Sequence, residues 1–150
     1  MRSSFFLLLT LFIACCNIDN FLIDDLLVDT STRSLPAEVQ LHPGQSVLFP
    51  HEGYTIIFEK VTADSRCPIG VQCVWAGDGA AKLKFKDTAD AVSEDTLHTT
   101  LEPQSVQFQQ LDIRLKSLEP YPVYNEPTDP SEYVVTLEIS QAGTDSLKTK

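Results

Sequence analysis

The most reactive side chains in this sequence belong to four cysteines, which fall into two pairs. Cys15 and Cys16 follow an apolar run near the start, whereas Cys67 and Cys73 enclose a short segment in the middle of the chain. A cysteine can form a disulfide, bind a metal or act as a nucleophile, and its compartment and neighbours decide which of these it does. The residues before Cys15 therefore have to be interpreted first.

Residues 1–14 have the layout of a secretory signal peptide. Arg2 supplies a positive charge, residues 5–14 form an apolar run, and Ala14 is a small residue at its end. A membrane-spanning helix needs about 20 apolar residues, whereas the apolar region of a signal peptide needs only about 7–15. The run therefore predicts export and cleavage rather than a membrane span.

Phe12, Ile13, Ala14 and Cys15 resemble a lipobox, the processing signal of bacterial lipoproteins. The resemblance covers residues 1–15, with Phe12 where leucine is most usual. It implies that Cys15 becomes the first mature residue and carries a diacylglyceryl thioether and an acylated amine, with palmitate as a typical chain. Two alternatives stay open. Cys16 could accept the lipid in place of Cys15, or the chain could be cleaved after Ala14 and secreted without a lipid.

On this interpretation the chain has four segments. Residues 1–14 are the lipoprotein signal peptide, residues 15–36 the lipidated cysteine and an acidic tether, residues 37–140 a single β-domain, and residues 141–150 a polar tail. Two or three acyl chains anchor a protein firmly where one chain does not. We expect a lipid-anchored protein of the bacterial cell envelope, held at the outer membrane and facing the periplasm or the cell surface.

The chain of 150 residues has a formal net charge of −10 at pH 7. That length allows one domain with a hydrophobic core. The negative charge disfavours nucleic acid as a partner, because phosphate backbones repel an acidic protein. It also disfavours docking onto anionic headgroups, so contact with the membrane has to come from the lipid at Cys15.

Export places Cys67 and Cys73 in an oxidising compartment, where a disulfide is the default state. A metal site is the alternative, but the two cysteines have no second pair and no nearby histidine to complete a ligand set. We therefore predict a disulfide and assign no metal or cofactor. The bond requires residues 67–73 to form a loop, with Val74 and Trp75 beginning the strand after it.

Residues 64–77 combine an Arg-Cys-Pro start with a Cys-Val-Trp-Ala-Gly end and resemble a segment of uncharacterised bacterial exported proteins. The resemblance extends more loosely over residues 39–139 and implies no reaction. Either Trp75 is buried beside the disulfide and Arg66 pairs with Asp64 across the loop, or a rigid loop presents Arg66 and Trp75 to a partner. An exposed Arg66 next to Cys67 would also suit the specificity pocket of a trypsin-like protease, so a protease inhibitor is a further alternative.

Residues 119–130 contain four prolines, which exclude helix and most strand pairing. This composition predicts a stiff, extended loop. Tyr121 and Tyr124 lie within it, and aromatic side chains of this kind often form contact surfaces. They are interpreted either as a lid, with Tyr121 packed on the end of the domain, or as residues that bind a partner.

No group of residues has the spacing of a catalytic or calcium-binding motif. His42, His51 and His98 are dispersed, and the acidic residues within 87–95 and 126–132 do not follow EF-hand spacing. We therefore assign no catalytic residue and favour a binding or structural module that contacts an envelope protein or polysaccharide. An envelope hydrolase whose site assembles only in the fold is the alternative from another functional class.

The elements that must position these residues are short strands. Residues 81–86 alternate strictly between apolar residues and lysine, which predicts one buried and one solvated face, with Leu83 inside and Lys84 outside. The sequence predicts an antiparallel β-sandwich or barrel of about eight short strands. The predicted strands cover residues 38–41, 46–49, 54–61, 71–75, 81–86, 96–101, 105–109, 111–116 and 133–139, with an acidic loop over 87–95.

Overall fold

A computed structural model of the protein describes residues 35–143, which form a β-sandwich of two four-stranded antiparallel sheets. The predicted all-β fold is confirmed. The signal peptide, Cys15 and the tether before Leu35 lie outside the described residues, as does the tail from residue 144. The elements are β1 (Ala37–Leu41), β2 (Ser46–Phe49), β3 (Tyr54–Asp64), β4 (Gly79–Lys86), β5 (Val92–His98), β6 (Ser105–Phe108), β7 (Leu111–Glu119), a 3-10 turn (Pro130–Glu132) and β8 (Val134–Gln141).

The two sheets differ in how the chain runs through them. The first has the order β2-β3-β4-β5 and is a simple meander, which we call the meander sheet. The second has the order β1-β8-β7-β6, and we call it the terminal sheet because it pairs the first strand with the last. Ala37 of β1 lies opposite Ile139 of β8, so the chain enters and leaves the domain at neighbouring points.

The core lies between the sheets and is built by the alternating residues of each strand. In β4 the apolar residues are buried and the lysines half-exposed, as the period-two pattern predicts. Phe108 of β6 closes one margin, because its ring stacks on Phe85 and meets Tyr54 edge-on. Within the described residues 35–143, every fully buried core residue lies between Val39 and Ile139.

One predicted strand and one predicted loop are wrong, and the predicted strand over 96–101 ends at His98. Residues 71–75 form no strand, because Cys67 N–H donates to the Ala76 carbonyl and the intervening residues are looped out from the sheet. The predicted acidic loop over 87–95 instead contains the start of β5. Glu94 of that strand lies beside Lys82 and Lys84 of β4, with its carboxylate 2.6 Å and 3.4 Å from their Nζ atoms, and cross-strand pairs of opposite charge stabilise sheets.

The loops are divided between two opposite ends of the sandwich. Asp64 pairs with Gly79 and Glu119 pairs with Val134, so the β3–β4 and β7–β8 connections emerge at the same end. The chain enters at the other end, where β1 begins. The eight residues of β8 separate the two ends by roughly 23 Å at the usual strand rise. No helix within residues 35–143 is long and apolar enough to cross a membrane.

The buried and solvated faces of β4 predict unequal effects of two neighbouring substitutions. Leu83→Ala should lower the free energy of unfolding by about 2–5 kcal/mol, because it opens a cavity in the core. Lys84→Ala removes only ion pairs at the surface and should cost far less than Leu83→Ala, because exposed pairs contribute little to stability. Urea unfolding followed by circular dichroism measures both variants, and equal losses would contradict the assignment of the two faces.

Candidate functional site

The candidate site is formed by two connections that emerge at one end of the sandwich. We call residues 65–78, between β3 and β4, the cysteine loop, and residues 120–133, between β7 and β8, the proline loop. Ile69 N–H donates to the Pro122 carbonyl at 2.8 Å, and Tyr124 N–H donates to the Ile69 carbonyl at 3.0 Å. The two loops come from different sheets and are joined to each other through their backbones.

The cysteine loop is closed by a covalent bond and by its backbone. Cys67 and Cys73 form the predicted disulfide, with their Cα atoms 5.9 Å apart. At the base of the loop, Ser65 N–H donates to the Asp78 carbonyl at 2.7 Å. Gly77 lies beside this base with a φ of +72°, and a Cβ there would be 1.8 Å from the Ser65 carbonyl oxygen, so only glycine fits.

Arg66 connects this loop to the rest of the domain from a buried position. Its Nε and Nη2 atoms donate to the two carboxylate oxygens of Asp64, at 2.9 Å and 2.6 Å. Its Nη1 atom donates to the Leu118 carbonyl, and Nη2 also donates to the Pro120 carbonyl at 2.8 Å. The guanidinium therefore joins the end of β3 to the end of β7 and the start of the proline loop.

Two tyrosines complete the surroundings of this ion pair. The Tyr121 ring packs over the Arg66 guanidinium at 4.9 Å, which is cation–π geometry. The Tyr133 hydroxyl donates to Asp64 at 3.0 Å. Burial opposes ionisation of Asp64, but the hydrogen bonds and charge of Arg66, together with the Tyr133 hydroxyl, outweigh it and lower the pKa of Asp64. The carboxylate is therefore ionised at neutral pH and pairs with the guanidinium.

The expectation of an exposed Arg66 is wrong. Only 6% of Arg66 is exposed, and its donors are bound to Asp64 and to two backbone carbonyls. A protease pocket could engage it only after these bonds were broken, which would leave a buried carboxylate without its partner. The geometry therefore gives no support to the protease-inhibitor alternative. Arg66 stabilises the two loops through buried hydrogen bonds and is not available to contact a partner.

The interpretation of Trp75 as a core residue is also wrong. Trp75 is 81% exposed and the preceding Val74 is 92% exposed. The physical reason is the lack of space at this end of the core. A Cβ on Gly79 would already lie 2.8 Å from Leu118 and 3.2 Å from the Arg66 side chain. The core is closely packed at this point, and the Trp75 indole lies outside it with the looped-out residues.

The two loops carry most of the exposed apolar surface of the described domain. Nine large apolar side chains are exposed within residues 35–143, and seven of them lie on the cysteine and proline loops. The other two are Val92, at the opposite end, and Leu101. We call the seven the apolar loop surface: Ile69, Val71, Val74, Trp75, Tyr121, Val123 and Tyr124.

The structure brings three predicted contact residues to these joined loops. Trp75, Tyr121 and Tyr124 were predicted from their chemistry alone, and all three are exposed. Sequence reasoning did not single out Ile69 or Val123, which form an isolated bridge between the loops. The available signal was their position, because an apolar residue in a segment without strand periodicity has no core face to occupy.

A histidine–carboxylate pair lies beside the cysteine loop. His98 Nδ1 is 2.6 Å from the Asp78 carboxylate, which also accepts from the backbone N–H groups of Thr100 and Leu101. Burial opposes ionisation of Asp78, but these bonds outweigh it and lower its pKa. Because Asp78 is bonded both to His98 and to the backbone of residues 100 and 101, the pair holds the connection after β5 in place.

The acidic residues and the dispersed histidines do not assemble a further site in the described part of the chain. His42 and His51 are exposed on separate turns. No group of three or more histidine, cysteine, aspartate or glutamate side chains between residues 35 and 143 is arranged to hold a metal ion. The apolar loop surface is therefore the feature that requires a functional explanation.

We found no match to this chain among family models, curated proteins or solved structures. The interpretation of the site consequently rests on its own geometry and chemistry.

The buried position of Arg66 predicts a large effect on stability. Arg66→Met should lower the free energy of unfolding by about 3–5 kcal/mol, because it leaves the Asp64 carboxylate buried without its counterion. Adding Asp64→Asn should recover part of this loss by removing the unpaired charge. Lys116→Met is the matched control, since Lys116 and Glu138 form an exposed pair at 3.7 Å, which contributes about 1 kcal/mol or less.

Urea denaturation of the four proteins provides the comparison. If Arg66→Met were no more destabilising than Lys116→Met, the ion pair beneath the site would not hold the loops as described.

Proposed function

We propose that this protein is a lipid-anchored module of the bacterial cell envelope that binds a protein or polysaccharide partner through the apolar loop surface. The observation that carries the proposal is the concentration of seven of the nine exposed large apolar side chains on two joined loops. Scattered exposed apolar residues need no explanation, but their clustering marks interaction sites.

The chemistry of the surface suits recognition. Trp75 and Tyr124 are 81% and 55% exposed, and tryptophan and tyrosine are the side chains most enriched at the energetic centres of interfaces. Each has an apolar ring and a polar atom that can donate a hydrogen bond to a partner. A surface of this composition can pack against an apolar side chain or stack on a sugar ring.

The bonds that hold the two loops in place favour binding for a second reason. The disulfide, the Arg66 hydrogen bonds and the two backbone bonds at Ile69 restrict the loops before any partner arrives. A surface that is already ordered loses little conformational entropy on association. The loops therefore have the rigidity expected of a preformed binding site.

The position of the surface is compatible with an anchor at Cys15. The described domain begins at the end opposite the loops, roughly 23 Å away along β8. Residues 15–36 span at most about 70 Å when fully extended. A lipid at Cys15 would thus connect through the entry end of the sandwich and leave the apolar loop surface available to the envelope space.

The anchor is tested by substituting the two cysteines separately. Cys15→Ser should abolish incorporation of radiolabelled palmitate and stop maturation, because the lipobox resemblance assigns the acyl chains to that residue. Cys16→Ser should be labelled like the unaltered chain. Labelling that persists in Cys15→Ser would contradict the assignment, and loss of label only in Cys16→Ser would move it by one residue.

Partner binding is tested with the domain from residue 35 onward, which contains both sheets and the buried cluster between them. The immobilised domain is incubated with envelope extract, and the retained proteins and sugars are analysed by mass spectrometry. Trp75→Ala combined with Tyr124→Ala should lose the partner that the unaltered domain retains. Val92→Ala is the control, because Val92 is an exposed apolar residue, 58% exposed, that lies at the opposite end.

Retention of the same partner by the double variant would contradict the proposed site. Loss of the partner from the Val92→Ala variant as well would show that the binding is a general property of exposed apolar residues.

A further inference from the structure

The proline loop, which carries part of the apolar loop surface, also carries negative charge. Four exposed carboxylates belong to the proline loop and the strand end that leads into it: Glu119, Glu126, Asp129 and Glu132. The backbone N–H and the hydroxyl of Ser131 donate to Asp129 and lower its pKa, so it is ionised at neutral pH.

These carboxylates have no exposed positive neighbour on either loop. Arg66 is the only basic residue in residues 65–78 and 119–133. Its guanidinium is buried and paired with Asp64 at 2.6 Å. Among the four exposed carboxylates it interacts only with Glu119, at the strand end, so Glu126, Asp129 and Glu132 are not offset by it. The lysines of β4 are likewise occupied, since Lys82 and Lys84 pair with Glu59 and Glu94 on the meander sheet.

This combination of aromatic surface and uncompensated negative charge discriminates between classes of partner. An anionic ligand, such as a phosphorylated glycan or a nucleic acid, would be repelled by the four carboxylates. A neutral polysaccharide could stack on Trp75 but would supply no countercharge. A basic peptide segment supplies both kinds of contact, and its ammonium or guanidinium groups can also lie against the Trp75 and Tyr124 rings as cation–π partners.

We propose that the apolar loop surface binds a basic protein segment, in which an apolar side chain packs against Trp75 and flanking lysine or arginine residues pair with the carboxylates of the proline loop. This inference rests on the proposed function and specifies the chemistry of its partner.

The probe is a pair of synthetic peptides that differ only in charge. One contains phenylalanine and leucine separated by lysines, and the other has glutamate in place of every lysine. The sequence contains a single tryptophan, so the fluorescence of Trp75 reports directly on the surface when the peptides contain none. The domain from residue 35 onward is titrated with each peptide and with a neutral hexasaccharide of glucose.

We expect the lysine peptide to shift the Trp75 emission saturably and the glutamate peptide and the saccharide to leave it unchanged. Raising the salt concentration from about 50 to about 500 mM should weaken the interaction by about tenfold or more, since exposed charges are screened. Combining Glu126→Gln with Glu132→Gln should weaken it by about tenfold as well. Asp95→Asn is the matched control, because Asp95 is an exposed carboxylate on β5, outside both loops, and it should leave the affinity unchanged.

Three results would overturn the inference while leaving the proposed function intact. Equal binding of the two peptides would show that charge plays no part, saturable binding of the saccharide alone would assign the surface to a glycan, and equal weakening by Asp95→Asn would remove the role of the proline loop. If no probe shifts the Trp75 emission and the Trp75 and Tyr124 substitutions also leave envelope binding unchanged, the proposed function fails as well.

Discussion

The buried Arg66 guanidinium is the interaction on which the loop end of this domain depends. A cation removed from water is tolerated only if its charge is paired and its donors are satisfied. Asp64 supplies the charge, and the Leu118 and Pro120 carbonyls accept further hydrogen bonds. Because Asp64 belongs to the meander sheet and Leu118 to the terminal sheet, satisfying one side chain fixes the two sheets and two loops relative to each other.

The exposure of the aromatic residues follows from this constraint. Arg66 and Leu118 fill the space around Gly79, so the core ends there and the cysteine loop continues outside it. The disulfide and the glycine at position 77 then give the protruding segment a defined shape. Since the pKa of Asp64 is lowered in the folded state, the ion pair is present at neutral pH. Its contribution to the free energy of unfolding is lost only as the pH falls through that lowered pKa.

If the proposed function is correct, the domain separates stability from recognition. Within residues 35–143 the strands contribute an apolar core, and the loops contribute an aromatic, acidic surface at the end opposite the start of β1. Loops on a rigid scaffold are the usual place for binding residues, because their side chains are free of the packing that fixes strands. A lipid at Cys15 and a partner at the loop surface would occupy opposite ends of such a molecule without competing for the same residues.

The sequence by itself determined the features that depend on local order. The alternation in residues 81–86 predicted which side chains of β4 are buried, and the signal for export together with the closeness of Cys67 and Cys73 predicted their disulfide. Both follow from neighbours along the chain. The lipidation of Cys15, which lies outside the described residues, is a prediction of the same local kind.

Only the tertiary structure decided the features that depend on distant residues. β5 extends through a segment predicted as an acidic loop because Glu94 lies beside lysines of β4. Arg66 is buried and Trp75 exposed, the reverse of the most direct expectation from their side chains. Hydrophobicity favours burying the indole and leaving the guanidinium in water. Burial also requires space and partners, however, and at this end of the core the fold provides carbonyls and a carboxylate for Arg66 but no cavity for a ring.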